Sequence, residues 1–346
     1  PNRWLKTLIF ALSKYFTAML TRFFERYTGF LRSLKLVYVI NNLLHAPKLW
    51  RNRGLYRQYG LRKSVLSPLG SHDFDRRHPD IPWLDRQDAA AQLAAHPDFQ
   101  KMPPTLQTKI RQFMEEGYCV LEGFFGEKQT DMLNQEVDAL LARGTAKFNY
   151  TGRKIFNLHE YSACANEVFF RRPELLDLLS FLLGRPVIPF QTLGFTQGSE
   201  QRAHSDSIHM TTEPQGYLIA TWIALEDCGP DSGPLFYYPG SHRLQYVMSG
   251  DYDSGNTAWT IGKDNNRRYE DRIEALIREK QLQKQDFIAR RGDVLIWHAN
   301  LLHGGNPIQR KDATRRSLVC HYFAEGVICY HEMSQRPALL PAGNRV

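Results

Sequence analysis

Gln201-Arg-Ala-His204-Ser-Asp206-Ser-Ile-His209 is the stretch around which the chain is best read. Its His-x-Asp core offers two metal-ligating side chains one residue apart. In extended chain, residues i and i+2 project from the same face, so His204 and Asp206 are able to hold one ion between them once a third ligand arrives. A His-x-Asp alone is common by chance, and its blander reading is a solvated loop carrying a hydrogen-bonded histidine. The surrounding sequence decides between the two.

On both sides of this stretch the chain consists of short apolar runs separated by turn residues: 187–196, 203–210, 217–225, 235–238, 293–298 and 316–323. Gly-Pro, Asp-Ser-Gly-Pro and Pro-Gly-Ser punctuate them. Many short strands with such turns predict a barrel or jelly roll rather than a parallel sheet. Upstream, the periodicity predicts helices over 106–116, 127–143 and 174–183, the last stopped by Gly184, with a strand over 118–125 between the first two. The fold class is therefore α+β: a barrel or jelly roll with flanking helices and a helical N-terminal extension.

The expected organisation is an extension over 1–63, a connector over 64–104, the jelly-roll domain over 105–325 and a tail over 326–346. A polar insertion over about 249–286, with a helix near 270–283, is expected to lid the site.

The net charge of +8 is unevenly placed. Residues 1–63 hold 13 Lys and Arg against the single acid Glu25, leaving 31 bases and 35 acids for the remainder. A net-acidic working domain repels phosphates, which argues against a nucleic-acid partner. The longest uncharged window of the extension, residues 36–47, has 12 residues, short of the roughly 20 that a membrane-spanning helix needs. Its aromatic, aliphatic and basic composition suits a helix lying on an anionic membrane surface. The competing readings are packing on the protein's own core and homo-oligomerisation. Five scattered cysteines, odd in number and without a Cys-x-x-Cys pair, read as free thiols in a reducing, cytoplasmic setting, with peripheral membrane association if the extension binds lipid.

The candidate third ligand is His303, in Gly292-Asp-Val-Leu-Ile-Trp-His-Ala-Asn-Leu-Leu-His303-Gly-Gly. Only a fold that brings distant strands together, as a jelly roll does, joins it to the pair. Two histidines and one carboxylate on one face of an ion leave the opposite positions open, the arrangement of non-haem Fe(II) oxygenases.

Phe113-Met-Glu-Glu-Gly-Tyr-Cys-Val-Leu-Glu-Gly-Phe-Phe125, His204-Ser-Asp206, Trp222-Ile-Ala-Leu-Glu-Asp227, Ser232-Gly-Pro-Leu-Phe-Tyr-Tyr-Pro239-Gly-Ser-His242, Gly292-Asp-Val-Leu, His303-Gly and Arg315-Arg-Ser-Leu-Val-Cys-His-Tyr occur in that order. In order and kind they resemble the phytanoyl-CoA dioxygenase family of Fe(II)/2-oxoglutarate oxygenases. The resemblance implies a double-stranded β-helix (jelly roll, cupin-like) core, His204, Asp206 and His303 as catalytic iron ligands, and Fe(II), 2-oxoglutarate and O2 as cofactor and cosubstrates. It also implies Arg315 as the clamp on the far carboxylate of 2-oxoglutarate, a role suited to a permanently charged bidentate fork. The gap from His303 to Arg315 is one residue longer than the family's usual spacing, which leaves Arg316 as a substitute. Because relatives that halogenate replace the carboxylate, Asp206 favours hydroxylation.

Gln191, Thr192 and Gln197 are candidates for the near end of the cosubstrate. His209 and Trp222 are candidates to face the substrate, against a core role for Trp222 and Trp297. His242 reads as structural. The expected reaction is hydroxylation of an aliphatic carbon of a membrane-associated or lipid-like small molecule. Its rivals are the same chemistry on a soluble metabolite or acyl thioester, and a non-catalytic membrane sensor or scaffold with a structural metal.

Overall fold

The computed structural model describes residues 33–75, 80–148, 152 and 154–339. The first 32 residues of the expected extension and the end of the expected tail lie outside the described residues. Among the described residues the strands are β1 (Tyr118–Leu121), β2 (Ile155–Phe156), β3 (Val187–Phe195), β4 (Thr211–Glu213), β5 (Leu218–Ala224), β6 (Leu235–Tyr237), β7 (Gln285–Phe287), β8 (Val294–His298), β9 (His303–Gly305), β10 (Ser317–Ala324), β11 (Ile328–His331) and β12 (Arg336–Pro337). Six form an antiparallel sheet in the order β1-β8-β5-β10-β3-β2, and β7-β6-β9 form a second sheet. Strands far apart in sequence, such as β5 between β8 and β10, are thereby neighbours in space. This is the jelly roll the strand pattern predicts.

The two-residue period sorts side chains between two cores. From the large sheet, Ala220, Trp222 and Ala224 of β5, Leu295 and Trp297 of β8 and Val319 of β10 pack with Leu235, Tyr237 and Phe287 of the second sheet. The alternate residues Ile219, Ile223, Ile296, Leu318, Cys320 and Tyr322 turn to the other face. There they meet the helices: Leu133 and Val137 of α7 (Glu127–Ala142), Phe169 of α8 (Ala163–Phe170), and Leu175, Leu179 and Leu182 of α9 (Pro173–Leu183). Helix α9 opens on a proline, which needs no N–H partner there, and ends at Gly184 with φ 69°, a conformation that suits glycine. The preceding helices are α1 (Lys35–Leu44), α2 (Ala46–Trp50), α3 (Arg53–Gln58), α4 (Ala89–Ala95), α5 (Pro97–Lys101) and α6 (Pro104–Glu116).

Several expectations need correction. The stretch 203–210 is not a strand: His204 makes only an isolated bridge, and Asp206–Ile208 form a single 3-10 turn. The expected connector contains α4 and α5, and its Leu84, Leu93 and Phe99 are buried in the helix-side core. The expected tail supplies β11 and β12, which pair with β4 in a third small sheet. Leu49, Leu55, Tyr56 and Leu69 pack on Ile328 and Tyr330 of that sheet, so part of the extension is built onto the protein's own core. The insertion's helix, α10, spans Asn265–Glu279 and begins earlier than expected. Its buried stripe Tyr269, Ile273 and Leu276 starts one turn after a polar Asn-Asn-Arg-Arg run that masks the onset in sequence.

Candidate active site

His204 and His303 arrive on different segments and are locked together by the backbone. Each N–H donates to the other's carbonyl, both at 2.9 Å. The register depends on Gly304, where an added Cβ would stand 2.6 Å from the carbonyl oxygen of Gln201 and 2.5 Å from the Phe236 ring. Only a residue without a side chain lets β9 approach the metal-motif segment this closely.

Both imidazoles are fixed in the same tautomer. His204 Nδ1 lies 2.9 Å from the Arg202 carbonyl and His303 Nδ1 lies 3.0 Å from the Leu301 carbonyl. A carbonyl only accepts, so Nδ1 carries the proton in each and Nε2 is left with its lone pair. Those two Nε2 atoms lie 3.9 and 3.8 Å from Oδ1 of Asp206. The three side chains are buried, and one ligand atom from each falls within 4.8 Å of the others. Burial, reinforced by His303, holds the His204 imidazole well below its ordinary range, which favours the neutral ligand form.

The other oxygen of Asp206 is occupied. Trp297 Nε1 donates to Oδ2 at 2.8 Å, and His321 Nε2 lies 3.4 Å from it. Burial alone would raise this carboxyl's pKa, but His303, His321 and His204 outweigh it and keep Asp206 ionised far below the usual carboxylate range. One oxygen is thus oriented by the protein and the other faces the two imidazoles.

Arg315 is buried and no described carboxylate pairs with it; Nη1 donates to the Gly233 carbonyl at 3.0 Å, and Nε has no partner. Burial pushes this guanidinium down to about 10. Its charged carbon stands 5.8 Å from the Trp222 ring and 5.9 Å from the Phe195 ring. The Trp222 indole N–H is also buried without a partner. Two orphaned donors beside a buried cation make a receptacle for an anion. Arg316 points the opposite way, to Asp138 on α7 at 2.6 Å. Trp222, expected toward the substrate, is enclosed between the sheets beside Arg315.

Gln191 stands opposite His321 in the β3–β10 register and shares its inward face. Thr192 does not: its hydroxyl bonds the backbone N–H of His159 at 3.0 Å and the His159 ring at 2.8 Å, on the helix side of the sheet. Gln197 is exposed. Strand parity thus turns Thr192 away from the metal cluster, and of the three residues expected at the cosubstrate only Gln191 faces inward on β3. His209 sits beside the triad, its ring 6.0 Å from that of His204 and 5.5 Å from that of His331. Burial first, then His331, lowers the His209 imidazole to about 3. His242 is buried, with Nε2 3.3 Å from the Met114 carbonyl, a structural placement.

Trp297, which reads as core in the sequence, is joined at the site by four residues that no motif singles out: His321, Gln201, Lys154 and His331. Trp297 and His321 lie on inward positions of β8 and β10, so alternation from Leu295 and Val319 offered a signal. Gln201 places its amide nitrogen 3.1 Å from His204 Nε2 and accepts from Lys154 Nζ at 2.8 Å. Lys154, isolated in sequence, is brought beneath the site with Nζ 5.9 Å from the Phe195 ring. His331 was assigned to a tail. The insertion covers the motif from outside: Tyr269 OH bonds the backbone and hydroxyl of Ser205, and Arg202 meets Glu270, Asp271 and Glu274 of α10.

A jelly roll in which two histidines and an oriented carboxylate converge between the sheets defines the class of mononuclear non-haem metal oxygenases. The family model for phytanoyl-CoA dioxygenase (PhyH) matches residues 113–317 of the 346, and the chain belongs to that family. Among its relatives, phytanoyl-CoA dioxygenase domain-containing protein 1 of Mus musculus is 25% identical over 213 residues, covering 45% of this chain and 73% of the relative. The Danio rerio protein of the same name is matched over 64% of its length. Ectoine dioxygenase of Sphingopyxis alaskensis is 26% identical over 249 residues, 65% of this chain and 80% of that one. Among solved structures, the α-ketoglutarate-dependent epimerase SnoN from nogalamycin biosynthesis superposes with a TM-score of 0.53 at 18% identity, over 71% of this chain and 93% of SnoN. EctD from S. alaskensis with 2-oxoglutarate and 5-hydroxyectoine gives a TM-score of 0.53 at 21% identity, over 71% and 86%. These likenesses share the fold. With the family, they make the protein a dioxygenase.

Proposed function

We propose that the protein is an Fe(II)- and 2-oxoglutarate-dependent hydroxylase acting on an aliphatic carbon of a membrane-associated or lipid-like substrate. The observation that carries the chemistry is the pairing of a buried His-Asp-His cluster with a buried Arg315 that has no carboxylate partner among the described residues. A closed structural metal site has no use for such an arginine, which argues against a sensor or scaffold.

The donor set, two imidazole nitrogens and one carboxylate oxygen, fits a borderline divalent cation such as Fe(II) with open positions. When bound, iron and 2-oxoglutarate supply the oxidising power for hydroxylation, with succinate and CO2 as co-products. The chain's part is positioning. His204 and His303 offer Nε2 because their Nδ1–H groups are tied to carbonyls, and Trp297 and His321 aim the Asp206 carboxylate. Arg315 and the Trp222 N–H would hold the distal carboxylate of the cosubstrate, with Gln191 on the inward face of β3 and Lys154 tied to Gln201 beside His204. The inter-sheet core and the α10 insertion keep water from the reacting centre.

His209 and His331, both neutral at physiological pH, present a weakly polar wall on the substrate side. Similarity to ectoine dioxygenases favours a second reading, a soluble metabolite handled by the same machinery.

Iron-dependent formation of succinate from 2-oxoglutarate tests the chemistry. His204→Ala and Asp206→Ala are expected to lower it by at least about a thousandfold while circular dichroism stays native. Retained turnover in either variant contradicts the ligand assignment.

A further inference from the structure

Helix α1 is amphipathic the wrong way round for a helix covering a globular core. Its inward face is polar: Lys35 is buried with Nζ 2.7 Å from Gln335 Oε1, and buried Asn42 donates to the Leu66 carbonyl at 2.9 Å. Its outward face carries Leu36, Ile40, Leu43 and Leu44, each more than half exposed. The spacing i, i+4, i+7, i+8 places these on one stripe. Trp50, at the end of α2, is also more than half exposed, and Trp259, 78% exposed, is carried to the start of α1 by the insertion: Lys35 N–H donates to the Trp259 carbonyl at 2.9 Å, and Leu34 bridges Thr260. A contiguous exposed apolar face of this kind is a surface to be covered.

Charge selects what covers it. Residues 33–63 contain seven Lys and Arg and no Asp or Glu, and Lys48, Arg53 and Arg57 are exposed along α2 and α3 beside the stripe. A two-fold pairing of two copies would bring these single-signed margins together. Residues 1–32 carry six further bases against one acid, so that segment is like-charged with the margin. An apolar helix whose own margin over residues 33–63 carries cations and no acid matches an interfacial helix on anionic lipid.

We infer that α1 with Trp50 and Trp259 is a membrane-docking face, inserting its leucines among acyl chains while Lys48, Arg53 and Arg57 meet anionic head groups. This deepens the proposed function, on which it rests only for the identity of the substrate. The face is continuous with the catalytic domain: the loop bearing Trp259 runs into α10, whose Tyr269 bonds Ser205 beside His204. Docking therefore sets the insertion against the surface from which an amphiphilic substrate is taken.

The test is flotation of the full chain with phosphatidylcholine vesicles, with and without phosphatidylglycerol, beside light scattering and iron-dependent succinate formation in solution. Wild type is expected to float with the anionic vesicles. Lys48→Glu/Arg53→Glu/Arg57→Glu is expected to weaken binding on the order of a hundredfold. Leu36→Ser/Ile40→Ser/Leu43→Ser/Leu44→Ser is expected to weaken it at least about tenfold, with succinate formation in solution unchanged. Absence of wild-type flotation, or binding undiminished in both variants, overturns the inference, the latter assigning attachment to residues 1–32. A wild-type dimer that the serine variant dissociates, without flotation, overturns it in favour of contact between copies. Loss of succinate formation with flotation intact faults the catalytic reading alone.

Discussion

Asp206 shows how much work a single side chain divides between its two oxygens: Oδ2 is held by Trp297 and His321, and only Oδ1 turns to the histidines. The three ligand positions were legible in sequence because the chemistry restricts residue type. Their supporting groups were less so, since a tryptophan N–H or a lysine becomes a neighbour only through folding. The adjacent arginines at 315 and 316 illustrate the limit. Spacing left the two interchangeable, but successive residues leading into a strand point to opposite faces, and Asp138 engages only the second. Arg315→Ala is expected to raise the KM for 2-oxoglutarate on the order of a hundredfold or more, through loss of charge-assisted hydrogen bonds in a buried site. Arg316→Ala, which removes a surface ion pair, is expected to leave that KM unchanged. Initial rates against cosubstrate concentration separate the two.

At the scale of elements, the site depends on a close approach between β9 and a segment that is not a strand. A short run bounded by turn residues predicts extended chain over 203–210, whereas Ser207 N–H bonds the Ala299 carbonyl and Asp206 opens a 3-10 turn. Hydrogen bonding to a distant loop overrode local pattern, and no reading of neighbouring residues reveals that. The helices and long strands were legible because they have a buried stripe or strict alternation; α4, α5 and the third sheet were not, because each is too short to show a period. Gly304 tests the arrangement. Gly304→Ala is expected to push β9 from Gln201 and spread His204 from His303, lowering iron affinity at least about tenfold and stability by about 1–3 kcal/mol. Metal titration and chemical denaturation of the same variant measure both.

For the whole molecule, burying neutral histidines makes stability depend on pH. His242 is 6% exposed and burial, followed by His298, lowers it to about 3. The unfolded chain takes up this proton near pH 6.5 and the folded chain resists it, so the stabilisation is complete above about 6.5 and is lost as pH falls toward 3. Denaturant unfolding is expected to show His242 contributing a loss of about 1–2 kcal/mol between pH 7 and pH 5, and His242→Gln a shallower dependence over that interval. The jelly roll itself, its helical cover and the catalytic cluster form one body that brings residues 204 and 303 together across a hundred positions of sequence. Among the described residues no helix is long and apolar enough to cross a membrane. The central claim is that this body holds one iron with a chelating keto acid at His204, Asp206 and His303. Anaerobic titration of Fe(II) into the protein with 2-oxoglutarate tests it most directly, followed by the visible charge-transfer absorption of a chelated keto acid. A band saturating at one iron per chain and absent in His303→Ala is the predicted result; a wild-type protein that develops no band, or a variant that retains it, would contradict the account.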